Sequence, residues 1–266
     1  MKRILTAFAA GALIAGLSGC AGSQFGTPVA SIERPVSDRP TVNDAQRKAR
    51  VHVELGQAYL QVARYGVALD EAKAAAYYDP GYAPAYQLMA LVHMYLEENT
   101  VAAANFERAL QLAPGDPEIM NSYGWFLCST GKEQAGIEQL NTAARNPYYQ
   151  TPTRALANAG LCYLRLKNDT AAEASFLRAA EADNGNVQAI YHLAAIAYRR
   201  GAYDAAKRYL AALHQAGEPS AESLWLAART ERKLGDRTAE ASFVQQLRRR
   251  FPGSPEYQAF LQGQYQ

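Results

Sequence analysis

The chain has 266 residues, 49% of them hydrophobic, which is enough for a sizeable core. Its 27 basic and 25 acidic residues leave a formal charge of +2, with no basic domain or stripe of the kind that meets nucleic acid. Lys2 and Arg3 supply that excess, and they lie in a segment that reads as removed, so the mature chain is near neutral.

Residues 1–19 read as an export signal. Met1-Lys2-Arg3 is a short cationic start, and the apolar run from Ile4 to Leu17 is too short and wrongly flanked for a membrane span. Leu17-Ser18-Gly19-Cys20 then resembles a bacterial lipobox, with Leu, two small residues and the Cys whose thiol takes the lipid. The expectation is a mature chain that begins at acylated Cys20 and is held stably in a membrane, because several acyl chains anchor where one does not. Ala21 stands where an Asp favours inner-membrane retention in lipoproteins, which points to the outer membrane. Residues 20–44 hold Gly, Ser, Thr and Pro28, Pro35 and Pro40, and read as a flexible tether. Twenty such residues reach on the order of 70 Å when extended.

From residue 45 the chain repeats itself. Pro80 and Pro114 are 34 residues apart, and so are Gly56 and Ala90, Ala68 and Ala102, and Ala75 and Ala109. This is the tetratricopeptide period: two antiparallel helices, A and B, with small residues where they approach and a Pro that ends helix B. Six units align near 49–82, 83–116, 117–150, 153–186, 187–220 and 221–254. Thr151 and Pro152 are inserted before the fourth unit, and Glu240 takes a small-residue position in the sixth. Ser254-Pro255 reads as a cap and first-turn Pro for a final helix over 255–262. The fold expected is all-α: a right-handed αα-superhelix of six repeats plus a C-terminal capping helix, stacked because no repeat buries its own apolar faces. The runner-up is another αα-solenoid such as a Sel1-like array, with a different repeat length and Gly placement.

Helix A of the third unit contains NSYGWFLC, residues 121–128. Met120, Tyr123, Gly124 and Leu127 are expected on its own helix B, and Ile119 and Phe126 on the neighbouring unit. Asn121, Trp125 and Cys128 fall on the remaining face, toward the concave side. With Leu60, Tyr82, Gln87, Leu88, Leu91, Met94, Tyr95, Asn158 and Leu161 they outline an apolar, aromatic groove with a few amides. Such a groove suits a peptide segment of a partner protein. The alternative is that Trp125 and Tyr95 pack on each other and close it. Tyr191, His192, Arg199, Arg229, Arg232 and Lys233 make the last two units more polar.

Cys128 and Cys162 are also 34 residues apart, in helices A of adjacent units. An exported chain meets an oxidising compartment, so a disulfide between them is expected, against two small buried thiols as the alternative. No nucleophile elbow, phosphate loop, dinucleotide fingerprint or zinc spacing is present, and the four His are scattered. The residues point to no enzyme, no cofactor and no metal.

The lipoprotein signal, the tether, six repeats and the Asn121–Cys128 segment together resemble the PilF/PilW-type pilotins of type IV pilus biogenesis. Pro114-Gly115-Asp116-Pro117, Asn158-Ala159-Gly160-Leu161-Cys162 and Phe251-Pro252-Gly253-Ser254-Pro255-Glu256 extend the likeness. The resemblance implies an outer-membrane lipoprotein facing the periplasm. It also implies a partner in the outer-membrane secretin of the pilus or an associated pilus-assembly protein, whose localisation and multimerisation it promotes. A monomer is the default. The alternative role is a periplasmic adaptor for peptidoglycan or envelope enzymes.

Overall fold

The computed structural model describes residues 32–265, so the export signal, Cys20 and the start of the tether lie outside the described residues. Among the described residues there are thirteen α-helices and a three-residue 3-10 turn (Val36–Asp38), and no strand. Six hairpins follow in order: α1 (Asp44–Gln61) with α2 (Tyr65–Tyr78), α3 (Ala83–Tyr95) with α4 (Asn99–Leu112), and α5 (Pro117–Ser129) with α6 (Glu133–Arg145). The others are α7 (Pro152–Arg165) with α8 (Asp169–Ala182), α9 (Val187–Arg199) with α10 (Tyr203–Ala216), and α11 (Ala221–Leu234) with α12 (Arg237–Arg250). The short α13 (Pro255–Leu261) covers the last pair. None of these helices is long and apolar enough to cross a membrane.

Local chemistry sets the helix ends. Asn43, Asp116, Asn168, Asn186, Ser220, Asp236 and Ser254 each accept a first-turn backbone N–H with the side chain. Pro stands in the first turn of α3, α5, α7 and α13, where its missing donor costs nothing. Each turn from helix A to helix B uses one left-handed residue: Ala63, Glu97, Gly131, Lys167, Gly201 and Gly235, with φ between 56° and 84°. Those positions keep the 34-residue period, apart from the insertion before the fourth unit.

The core is a chain of clusters along the stack, shared between neighbouring elements, with two at the junction of the second and third hairpins. Small residues let the partner helices close. Ala68, Ala102, Gly136, Ala172 and Ala206 hold one register in the B helices, and the four alanines have no exposed surface. Glu240 takes that register in α12 and stays charged. Burial works against its carboxylate, but Arg237 at 2.8 Å and Arg232 at 3.0 Å outweigh it and hold the group below its ordinary range. Helices α1, α3, α5 and α7 touch one another in succession, whereas the B helices make no comparable contact among themselves. The A helices therefore form the tightly curved inner wall.

Two expectations need correction. The second half of the tether is not free chain. Pro35 is buried, Val36 packs against two core clusters, and the Val36 amide donates to Asp116 Oδ2 at 2.7 Å. In α5, Tyr123 and Leu127 join Phe106 and Phe126 in the cluster of the preceding hairpin rather than facing α6. Met120 and Gly124 do face α6.

Candidate peptide-binding groove

The repeat register converts helices into rows of side chains along the inner wall. Arg50, Pro84, Glu118 and Arg154 stand at equivalent positions of α1, α3, α5 and α7, and all four line one cavity of about 420 Å³. Val53, Gln57, Leu60, Tyr82 and Gln87 complete most of its floor, and Ser37 contributes from the segment ahead of α1. The row continues through Gln188 and Glu222, which line a second cavity of about 420 Å³ with Val187, Tyr191 and Leu213. Seven positions further along each helix, two turns on, run Leu91, Trp125, Leu161 and Ala195, all half-buried. That second row is apolar.

The expected site residues divide accordingly. Leu60 is half-buried and lines the cavity, as does Gln87, whose Nε2 donates to Ser122 Oγ at 2.9 Å and to the Glu118 carbonyl at 3.2 Å. Leu91 and Met94 are half-buried beside Phe106 and Phe126. Trp125, Asn158 and Leu161 are half-buried along the same wall. Tyr95 is exposed and stacks on Tyr65, centroids 5.8 Å apart, so it does not close the groove against Trp125.

Four residues do not offer the contact expected of them. Leu88 is 1% exposed and belongs to the core beside Gly56, whose missing Cβ leaves room for Leu88 Cδ2. It lies one turn before Leu91, on the side that meets the first hairpin. Tyr82 is also core, at 2% exposed, reaching the cavity only with its edge; burial pushes its hydroxyl up, and Arg50 partly counters that. Asn121 is 4% exposed because its Oδ1 accepts from Asn158 Nδ2 at 3.0 Å, which ties α5 to α7. Cys128 does not reach the groove side. It is fully buried against Gly136 of α6 and is paired with Cys162 as a disulfide, Cα–Cα 5.7 Å.

The charged part of the site was missed. Glu118 and Arg154 approach to 3.6 Å across α5 and α7. Burial pushes the Glu118 carboxyl up, Arg154 pulls it back, and Asp116 and Asp38 push it further up. Asp116 is 2% exposed, and burial pushes its carboxyl up despite three backbone donors, Val36, Ile119 and Glu118. Extending the 34-residue register from Pro84 to Arg50, Glu118 and Arg154 would have found this row. At the far end, Arg199 pairs with Asp169 at 2.8 Å and Arg229 stacks on Tyr198 and Trp225, while His192 lies on Phe176 and burial pushes its imidazole down. No cluster that could hold a metal ion occurs among the described residues.

This architecture matches known proteins along most of its length. Two tetratricopeptide-repeat family profiles match, over residues 88–150 and 153–186. The type IV pilus assembly protein PilF of Pseudomonas aeruginosa is 28% identical over 248 residues, which is 93% of this chain and 94% of that protein. A solved structure of Pseudomonas aeruginosa PilF superposes with a TM-score of 0.74 at 27% identity, over 83% of this chain and all of that one. The crystal structure of PilW, described as a widely conserved type IV pilus biogenesis factor, gives 0.74 at 28% identity over the same shares. The chain is a tetratricopeptide-repeat protein that resembles PilF and PilW in sequence and in fold. Likeness in fold alone reaches further, to Cut9 in the APC/C hetero-tetramer Cut9-Hcn1, with a TM-score of 0.66 at 17% identity.

Proposed function

We propose that this chain is an assembly adaptor of type IV pilus biogenesis, held by lipid at Cys20 on the periplasmic side of the outer membrane. Its groove takes an extended segment of the secretin or of an associated pilus-assembly protein. The half-buried row Leu91–Trp125–Leu161 carries this reading. Apolar side chains left open along a concave wall gain from covering by a partner. Gln57, Gln61 and Asn158 nearby supply amides for a peptide backbone. The relatives named for type IV pilus assembly match nearly the whole chain, groove included.

The mechanism is confinement. A lipid fixed at one end and a partner segment held at the other keep secretin subunits near the membrane, which raises their local concentration for assembly. The chain itself performs no chemistry in this account. The test replaces Leu91 and Trp125 together with Ala and measures secretin multimers in membranes. Expected is a loss of multimers with the helical signal retained. Normal multimers alongside a folded double variant would remove the groove from the account. Normal pili with altered cell shape in a deletion strain would favour the envelope-enzyme role.

A further inference from the structure

Residues 33–39 lie along the loop rim of the inner wall. The Val36 amide donates to Asp116 Oδ2 at 2.7 Å, across eighty positions of sequence, and Asn146 Nδ2 donates to the Glu33 carbonyl at 2.9 Å. Asp116 divides its two oxygens: Oδ1 accepts from the amides of Glu118 and Ile119 and so starts α5, while Oδ2 holds the strap. Pro35 is buried beneath, and Ser37 forms part of the cavity wall facing Arg154 and Gln57. The other contacts are the Arg50 guanidinium donating to the Arg39 carbonyl and Arg39 paired with Glu33 at 2.7 Å, both part-buried, the Arg34 guanidinium over the Tyr148 ring at 5.0 Å, and the exposed pair of Gln150 with Asp38 at 3.4 Å. The seven residues are therefore held by three side-chain bonds to their backbone, from Asp116, Asn146 and Arg50, with Pro35 and Val36 as their apolar anchors.

We propose that residues 33–39 are a latch on the N-terminal arm. Docked, the latch walls one side of the cavity and pins the arm's exit beside the turn between α6 and α7. Released, it opens the rim of the cavity and frees the arm as far as Asn43. Segments held by so few buried contacts open locally without unfolding the helices beneath. From Cys20 to Ile32 is twelve residues, at most about 40 Å of chain; from Cys20 to Asp44 is twenty-four, about 80 Å. Release thus doubles the arm. The meaning of that length for a membrane rests on the lipid reading of Cys20; the latch itself does not.

Hydrogen exchange on the full chain tests this, read at the amides of residues 32–43 and of α5. Asp116→Asn keeps the Oδ1 acceptor that starts α5 but turns an amide N–H toward the Val36 donor. Val36→Pro removes that donor from the other side, at the first residue of a helical turn where Pro fits. In the wild type the latch amides should exchange about tenfold or more slowly than free chain, yet at least about a hundredfold faster than the α5 core. Both variants should bring the latch to the free-chain rate with α5 unchanged. Free-chain exchange in the wild type would show that nothing is latched. Exchange as slow as α5 would make the segment a permanent part of the fold. Unchanged protection in Val36→Pro would show that the Asp116 bond is not what holds it.

Discussion

Gly136→Ala is a direct probe of the close approach of α5 and α6 within the third unit. Every other well-matched repeat has Ala at this register, and Ala is the better helix former by about 1 kcal/mol. Propensity alone therefore predicts a more stable protein. The structure predicts the reverse. An added Cβ would come within 2.5 Å of both Cys128 Sγ and the Gly124 carbonyl oxygen, and within 3.0 Å of the Cys128 amide. None of these can rotate away: two are backbone atoms, and the sulfur is tied to Cys162. Relief needs α5 and α6 to separate. Overpacking typically costs 1–3 kcal/mol, and a contact against backbone belongs at the top, about 3 kcal/mol. The net effect is a loss of about 2 kcal/mol, close to thirtyfold in the folding equilibrium. Gly66→Ala is the control, because an added Cβ there meets nothing within 4 Å; it should gain up to about 1 kcal/mol. Urea unfolding followed by circular dichroism should place Gly136→Ala below the wild type and Gly66→Ala at or above it. A Gly136→Ala midpoint equal to that of the wild type would refute the close-approach argument.

Other outcomes follow from the same structure. Cys20→Ser should leave the chain soluble in the periplasm, read by fractionation; undiminished membrane retention would reject lipid attachment at Cys20. A thiol assay on denatured, unreduced protein purified from the periplasm should find no free thiol at Cys128 or Cys162, and two reactive thiols would reject the bond. Glu97→Gly should stabilise by about 1 kcal/mol, because Glu97 holds φ at 61° where L side chains are strained. A melting rise of about 2–4 °C would register it.

The fold was legible because a helical repeat is written twice, once in spacing and once in side-chain size. Ala68, Ala102, Ala172 and Ala206 read as contact points from the sequence, and each is fully buried. The register of the A-to-B turns was equally periodic, but only the three glycines announce themselves; Ala63, Glu97 and Lys167 adopt the same backbone without a glycine to mark it. The groove was legible by face and not by depth. Leu88 and Leu91 differ by one helical turn, and only the packing of the first hairpin decides that one is core and the other wall. Asn121 looked like a partner contact because nothing in the sequence reveals that Asn158 reaches it. The latch was invisible for a different reason. Its seven residues carry no apolar period, and the Asp116 carboxylate that holds them is a helix cap in its own right. One oxygen of Asp116 caps α5, and nothing in the sequence marks what the other oxygen holds.

The central claim is that the concave wall holds a pilus-assembly segment, and contact itself can be measured. A photo-crosslinking amino acid placed at Trp125, in cells assembling pili, should give an adduct whose mass-spectrometric identity is the secretin or a pilus-assembly protein. The same probe at exposed Tyr77, on a B helix, should give none. An adduct with the secretin from Tyr77 but not from Trp125 would contradict the account.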